Sequence, residues 1–212
     1  MALAQSSDEV LARLSDELAP HTSPETHAAV VELATAVHAD VSGVVAELPG
    51  LRKRLAGEVD AVGLTVAVAG TRPLTVWEET QVSGAVRYCD LGDSLRVLAR
   101  REPTMALHVH VGVPEPDDAI RVLNRLRERI PRFCSRCRPI LRPGRGEIGG
   151  FASARTVIFQ AFPGSGLPPL IASYADYVDA ADALIASGWC PTRASLGGMC
   201  GCSRRSGPLR CG

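Results

Sequence analysis

Met105-Ala106-Leu107-His108-Val109-His110-Val111-Gly112-Val113 is the stretch that decides how the rest of the chain is read. Its strict alternation predicts a β-strand, with Leu107, Val109 and Val111 on one face and Ala106, His108, His110 and Gly112 on the other. Both imidazoles then point the same way. The aliphatic face is expected to be buried against helices, while the histidine face looks into a cavity lined by small neighbours that suits a ligand. The other reading is a pair of solvent-facing histidines on a half-buried strand.

Downstream, Pro114-Glu115-Pro116-Asp117-Asp118 predicts a helix N-terminus with acids in its first turn. That helix carries Ile120, Val122, Leu123, Leu126 and Ile130 inward and Arg121, Arg125, Arg127 and Arg129 toward water. Asp117 and Asp118 offer metal-ligand chemistry, although acids at this position commonly serve the helix dipole. Upstream, a helix is expected around 92–101, with Arg96, Arg100 and Arg101 as a solvated basic end, and a loop with Trp77 precedes it. Leu64 to Thr71 alternates as a buried strand closing in a glycine turn.

Apolar residues from Val41 to Val62 recur at three and four, which predicts a helix bent or broken near Pro49-Gly50. Thr26 to Thr35 is β-branched enough for a strand, though its alanines also permit a helix. Glu32 is the one acid in that run, either a functional carboxylate or a surface group on an edge strand. Ser6-x-x-Glu9 has the capping-box pattern, so residues 7–19 read as an amphipathic helix stopped by Pro20. Toward the other end, Tyr174-Ala175-Asp176-Tyr177 opens a helix through Val178, Ala181, Leu184 and Ile185.

The 212 residues carry 23 basic and 23 acidic side chains, so no global field favours nucleic acid or a membrane surface as partner. No apolar run is long enough to span a bilayer, and the first residues lack the features of a signal peptide. A cytoplasmic protein is expected. Six of the seven cysteines crowd into two aperiodic stretches, residues 132–149 and 189–212. Cys134-x-x-Cys137 with Cys200-x-Cys202 supplies four thiolates, hence a zinc-binding module as one alternative.

Several segments resemble the glutamate-cysteine ligase type 2 family of ATP-dependent carboxylate-amine ligases. They are Val31-Glu32-Leu33-Ala34-Thr35, Ala69-Gly70-Thr71, Leu107 to Val113 with Pro114-x-Pro116, Ala119 to Arg127, Phe151 to Ala161, and Ala172 to Tyr177. The resemblance covers residues 1–131 and 150–187. It implies an α+β fold: a partial glutamine-synthetase-like antiparallel sheet, a half-open funnel with helices on one face. Residues 1–187 would be part of the catalytic domain, with 132–149 insert-like and 188–212 a disordered tail. The implied reaction activates the glutamate carboxylate as an acyl phosphate using ATP and Mg²⁺, and the amine of cysteine then attacks.

On that basis Glu32, His108 and His110 are expected to be catalytic, with Glu32 also a metal ligand, and Thr35 and Arg155 to bind substrate or nucleotide. Asn124 and Arg125 match the family but fall on a helix, which favours a structural role. Arg72 stands where the family usually has histidine after Gly-Thr. Partners are expected to be small molecules, with homodimerisation left open.

The family's Leu-Leu-Ala-Leu-Ser-Ala-Asn-Ser-Pro loop, its following Trp-Gln-Gly-Arg-Asp, its opening Gly-Val-Glu-Glu-Glu-Phe strand and its Val-Glu-Val-Arg strand are not found here. Permitted codons for Phe133 to Glu147, read one base earlier, spell Leu-Leu-Ala-Leu-Ser-Ala-Asn-Ser-Pro-Ser-Trp-Gln-Gly-Arg. The same operation on Trp189 to Gly212 ends in Val-Glu-Val-Arg. Two frame-shifted stretches are therefore expected, which makes the cysteines accidents of reading phase and the ligase defective. A non-catalytic nucleotide- or substrate-binding remnant is the other alternative.

Overall fold

The computed structural model describes residues 3–70, 80–84, 105–135, 166–188, 202–203 and 210–211. Mixed helices and short antiparallel strands make it an α+β chain, and it divides into two compact units near residues 105 and 106.

In the first unit, α1 (Ser7–Leu11) is followed by a 3₁₀ turn (Ala19–His21), β1 (Thr22–Pro24), β2 (Val31–Leu33) and α2 (Val41–Asp60). The predicted helix over 7–19 stops at Leu11. Its capping box does not form, because Ser6 makes no side-chain cap and Glu9 pairs with Arg13 instead. Beyond Leu11, Ser15 donates from both its N–H and its hydroxyl to the Glu58 carboxylate, at 2.8 and 2.7 Å. A bond from α2 has replaced the helical continuation.

Of the expected bend or break near Pro49-Gly50, the break does not occur: helix α2 runs through Pro49. Proline removes one amide hydrogen bond, but Val45, whose carbonyl loses its partner, is 63% exposed, so water can satisfy that oxygen. Leu51, Leu55 and Val59 form a stripe at four-residue spacing and are buried together with Val10 and Leu18, with Leu14, Leu33 and Leu64 packed on them. Asp40 caps the helix by accepting from Gly43 N–H at 3.1 Å.

Strands β1 and β2 pair antiparallel, Thr22 opposite Leu33 and Pro24 opposite Val31. Of the buried strand expected over residues 64–71, residues 64–69 have no strand partner among the described residues, and Val68 is 70% exposed. Period-two patterning sets which side chains share a face but does not provide a ladder partner.

In the second unit, β3 (Val111–Gly112) precedes α3 (Pro116–Ser135) and α4 (Tyr174–Ala186). Two further pairs, β4 (Cys202–Ser203) and β5 (Arg210–Cys211), complete a small antiparallel sheet in the order β3-β5-β4. Val111 lies opposite Cys211 and Gly112 opposite Arg210. The core is Ala119, Ile120 and Leu123 of α3, against which Val113, Ile130, Ile171, Tyr174 and Tyr177 pack. Asn124 reads the backbone of Ile171 at two points, its amide nitrogen donating to the carbonyl at 2.7 Å and its oxygen accepting from the N–H at 3.3 Å. Arg127 Nε donates to the Pro168 carbonyl at 2.7 Å, and Asp117 accepts from Tyr174 N–H at 2.9 Å. Helix α3 thus grips the segment that leads into α4.

No helix among the described residues is long and apolar enough to cross a membrane. The predicted helix at 92–101, the Trp77 loop and Arg155 lie outside the described residues.

Candidate functional site

Glu32 sits at the centre of β2 because its neighbours are drawn inward: Val31 and Leu33 are half-buried, Leu33 against the first core, and alternation turns Glu32 to solvent. Ser23 lies directly opposite on β1, and its hydroxyl donates to Glu32 Oε2 at 3.0 Å. The carboxylate is therefore oriented by a neighbour yet open to water. Thr35, two residues beyond the end of β2, is half-buried.

The strap after β2 is also tied down. His21 Nδ1 approaches the Ala34 carbonyl at 2.9 Å, and Ala34 N–H donates to the His21 carbonyl at 2.8 Å. Glu47 Oε2 accepts from Ala36 N–H at 3.0 Å and meets His38 Nε2 at 2.6 Å. The His38 hydrogen bond, followed by the Ala36 amide, holds the Glu47 carboxyl below the usual range.

His108 and His110 belong to the second unit. Their rings stand edge to face with centroids 6.0 Å apart, the same-side arrangement that two-residue spacing predicts. The rest of the expected strand does not form, since only Val111–Gly112 joins a ladder. Leu107, Val109 and Val111 are 76%, 65% and 52% exposed, which corrects the expectation of a buried aliphatic face. Both histidines are exposed.

A cavity of about 580 Å³ opens between the first turns of α3 and α4, lined by Glu115, Asp117, Asp118, Arg121, Ser173 and Tyr174 among others. Two of its acids, Asp117 and Asp118, are engaged. Asp117 caps α4 through Tyr174 N–H and Asp118 pairs with Arg121. Ser173 accepts from Asp176 N–H at 3.1 Å and donates to the Asp176 carboxylate at 2.7 Å. These roles agree with the helix-terminus reading of Asp117 and Asp118. No group of three His, Cys, Asp or Glu side chains is placed to hold a metal ion among the described residues.

Three features were beyond sequence patterning. Ser23 follows from the hairpin register, which the chain does not reveal before β1 and β2 pair. His38 and Glu47 are nine residues apart, a spacing that belongs to neither helix nor strand. Asn124 is polar at a helix position whose backbone partner lies 47 residues away.

The α+β chain thus presents an oriented carboxylate on the hairpin of its first unit and a pair of exposed imidazoles in its second. Comparison makes this specific: residues 2–196 match the model of glutamate-cysteine ligase family 2, and the chain belongs to that family. Among its relatives, a Rubrobacter xylanophilus protein provisionally named glutamate-cysteine ligase 2-1 is 34% identical over 183 residues, 85% of this chain and 48% of that protein. Provisionally named glutamate-cysteine ligases 2 from Bordetella avium and Clavibacter michiganensis are 35% and 34% identical, over 81% and 76% of this chain and 43% and 42% of theirs. The chain spans about half the length of the curated relatives it matches.

Proposed function

We propose that this chain carries part of the catalytic domain of an ATP-dependent carboxylate-amine ligase of the glutamate-cysteine type, built on a glutamine-synthetase-like sheet. The observation that carries the reading is the family match over residues 2–196, which includes Glu32, Thr35, His108, His110 and Arg155. The reaction would join the side-chain carboxylate of glutamate to the amine of cysteine, with small molecules as partners and the cytoplasm as its location.

Mg²⁺ asks for few protein ligands, usually one or two carboxylates, with water and substrate phosphates completing the octahedron. Glu32 fits the part of a single contributor, exposed and with one oxygen already set by Ser23. When bound, the ion would neutralise charge between the transferring phosphate and its acceptor. His108 and His110 offer hydrogen-bond donors toward an anion, and Arg155 would pair with a carboxylate or phosphate. Thr35 would hydrogen-bond substrate through its hydroxyl.

The same reading includes weak turnover by this chain alone. Ligases exclude water while the activated carboxylate waits for its amine, whereas here the histidine pair is open to solvent and so are Leu107, Val109 and Val111, which alternate with it. An acyl phosphate formed there would be hydrolysed before it is captured. The aberrant composition of 132–149 and 189–212 is assigned to two shifts of reading frame.

The test uses the purified chain with Mg²⁺, ATP, glutamate and cysteine, following phosphate release and dipeptide formation together with calorimetric titration of Mg-ATP. Measurable nucleotide binding with dipeptide formation at background is the expected result. Efficient dipeptide synthesis would overturn the defect, and an absence of Mg-ATP binding at millimolar concentration would overturn the assignment of a nucleotide site to this part of the family fold.

A further inference from the structure

Two of the seven cysteines are brought face to face by the small sheet of the second unit. Strand β5 (Arg210–Cys211) lies at its centre, with β3 on one side and β4 on the other, and both β4 and β5 lie against α3. The register then sets three residues in one row: Cys211 stands opposite Val111 of β3 and opposite Cys202 of β4. Both pairings are antiparallel.

Directly opposed residues of an antiparallel pair have Cα atoms about 5.5 Å apart in the hydrogen-bonded kind of pair and about 4.5 Å apart in the other. A disulfide spans Cα separations of about 4.4–6.8 Å. The backbone requirement is met in either case. Residues 189–212 also carry four arginines and no acid, a local charge that draws an anionic co-reactant toward these thiols.

We propose that Cys202 and Cys211 are a reversible oxidation site, closed by a low-molecular-weight disulfide that bears carboxylates. One thiolate of the pair attacks a sulfur of that disulfide and breaks its S–S bond, so that half of the molecule leaves. The other thiolate then attacks the cysteine sulfur of the mixed disulfide and releases the second half. Each leaving thiolate takes up the proton that a cysteine gave, so two cysteine thiols and one disulfide become the Cys202–Cys211 disulfide and two free thiols. Closure ties β4 to β5, and β5 holds Val111–Gly112, the residues that follow His110 directly. Oxidation therefore secures the end of the histidine stretch, and reduction leaves it to the short ladder alone. Whatever reading phase produced residues 189–212, these are the residues present in the chain.

The site is tested by incubating the intact chain with oxidised glutathione, alkylating the remaining free thiols and mapping tryptic peptides. Cleavage after Arg193, Arg204 and Arg210 leaves Cys211 in the dipeptide Cys211-Gly212 and Cys202 in the peptide 194–204, so closure appears as that dipeptide attached to that peptide. Wild type and C200S should both give the linked species, C202S and C211S should not, and dithiothreitol should abolish it. Amide exchange at Val111 and Gly112 should slow at least about tenfold in the oxidised wild type, the lower end of what a disulfide contributes, and should not respond to oxidant in C211S. A link that persists in C202S, or capping of both cysteines by glutathione without closure, overturns the proposal. Closure with unchanged exchange at Val111 and Gly112 overturns the coupling to the histidine stretch.

Discussion

Glu32 shows how one side chain comes to be available for chemistry. It is exposed because Leu33 is needed in the core, and it is oriented because the hairpin places Ser23 opposite. On the proposed reading, E32Q should weaken Mg-ATP binding at least about tenfold by calorimetry, the loss of roughly one charge-assisted contact, while S23A, which removes only the orienting donor, should cost about two- to threefold. Equal affinity in E32Q and wild type would remove Glu32 as the metal carboxylate.

Carboxylates in the same unit set its response to acid. Asp40 is held below its ordinary range by the Gly43 amide and then by Ser42, Glu47 by His38, and Glu58 by the Ser15 hydroxyl and amide. A depressed folded value means that these bonds contribute fully above the unfolded carboxylate value of about 4.3 and are lost as pH falls through the lower folded values. Urea midpoints of the first unit should thus be steady from pH 7 to about 5 and drop below about pH 4. E47Q and E58Q should blunt that drop.

At the scale of elements, α3 is held by polar groups as well as by its apolar stripe. Asn124, Arg127 and Asp117 all bond the backbone of 168–174, so the coil before α4 takes its course from helix side chains rather than from a strand partner. N124A leaves the Ile171 amide and carbonyl without their partner and should cost about 1–3 kcal/mol, read as a lower urea midpoint with an unchanged slope. R125A on the exposed side of the same helix should change stability by less than about 0.5 kcal/mol. The contrast separates two adjacent family-matched residues that sequence alone treats alike.

For the whole molecule, two separate cores carry the described structure, one around Leu51, Leu55 and Val59 and one around Ala119, Ile120 and Leu123. L55A and L123A should each cost about 2–5 kcal/mol. The clusters share no packing residue, so the double variant should be additive within about 0.5 kcal/mol. At the same scale, the proposed frame changes predict that nucleotides across residues 130–152 and 186–212 spell the family's loop and strand in the neighbouring phase. Codons unable to do so would restore the cysteines of those stretches as residues with a purpose of their own.

Periodicity alone located α2, α3 and α4, because a helix closes its hydrogen bonds within its own segment and its apolar stripe is a local pattern. Alternation likewise put His108 and His110 on one side, and the motifs of the chain carried it to its family. Tertiary structure decided the rest. Whether 64–69 and 105–110 become paired strands, where α1 ends, and which groups hold Glu32 and the strap behind it all depend on partners remote in sequence. A strand's hydrogen bonds are completed by another segment, and a polar side chain's role is fixed by the group it meets, neither of which is written in the spacing of its own residues.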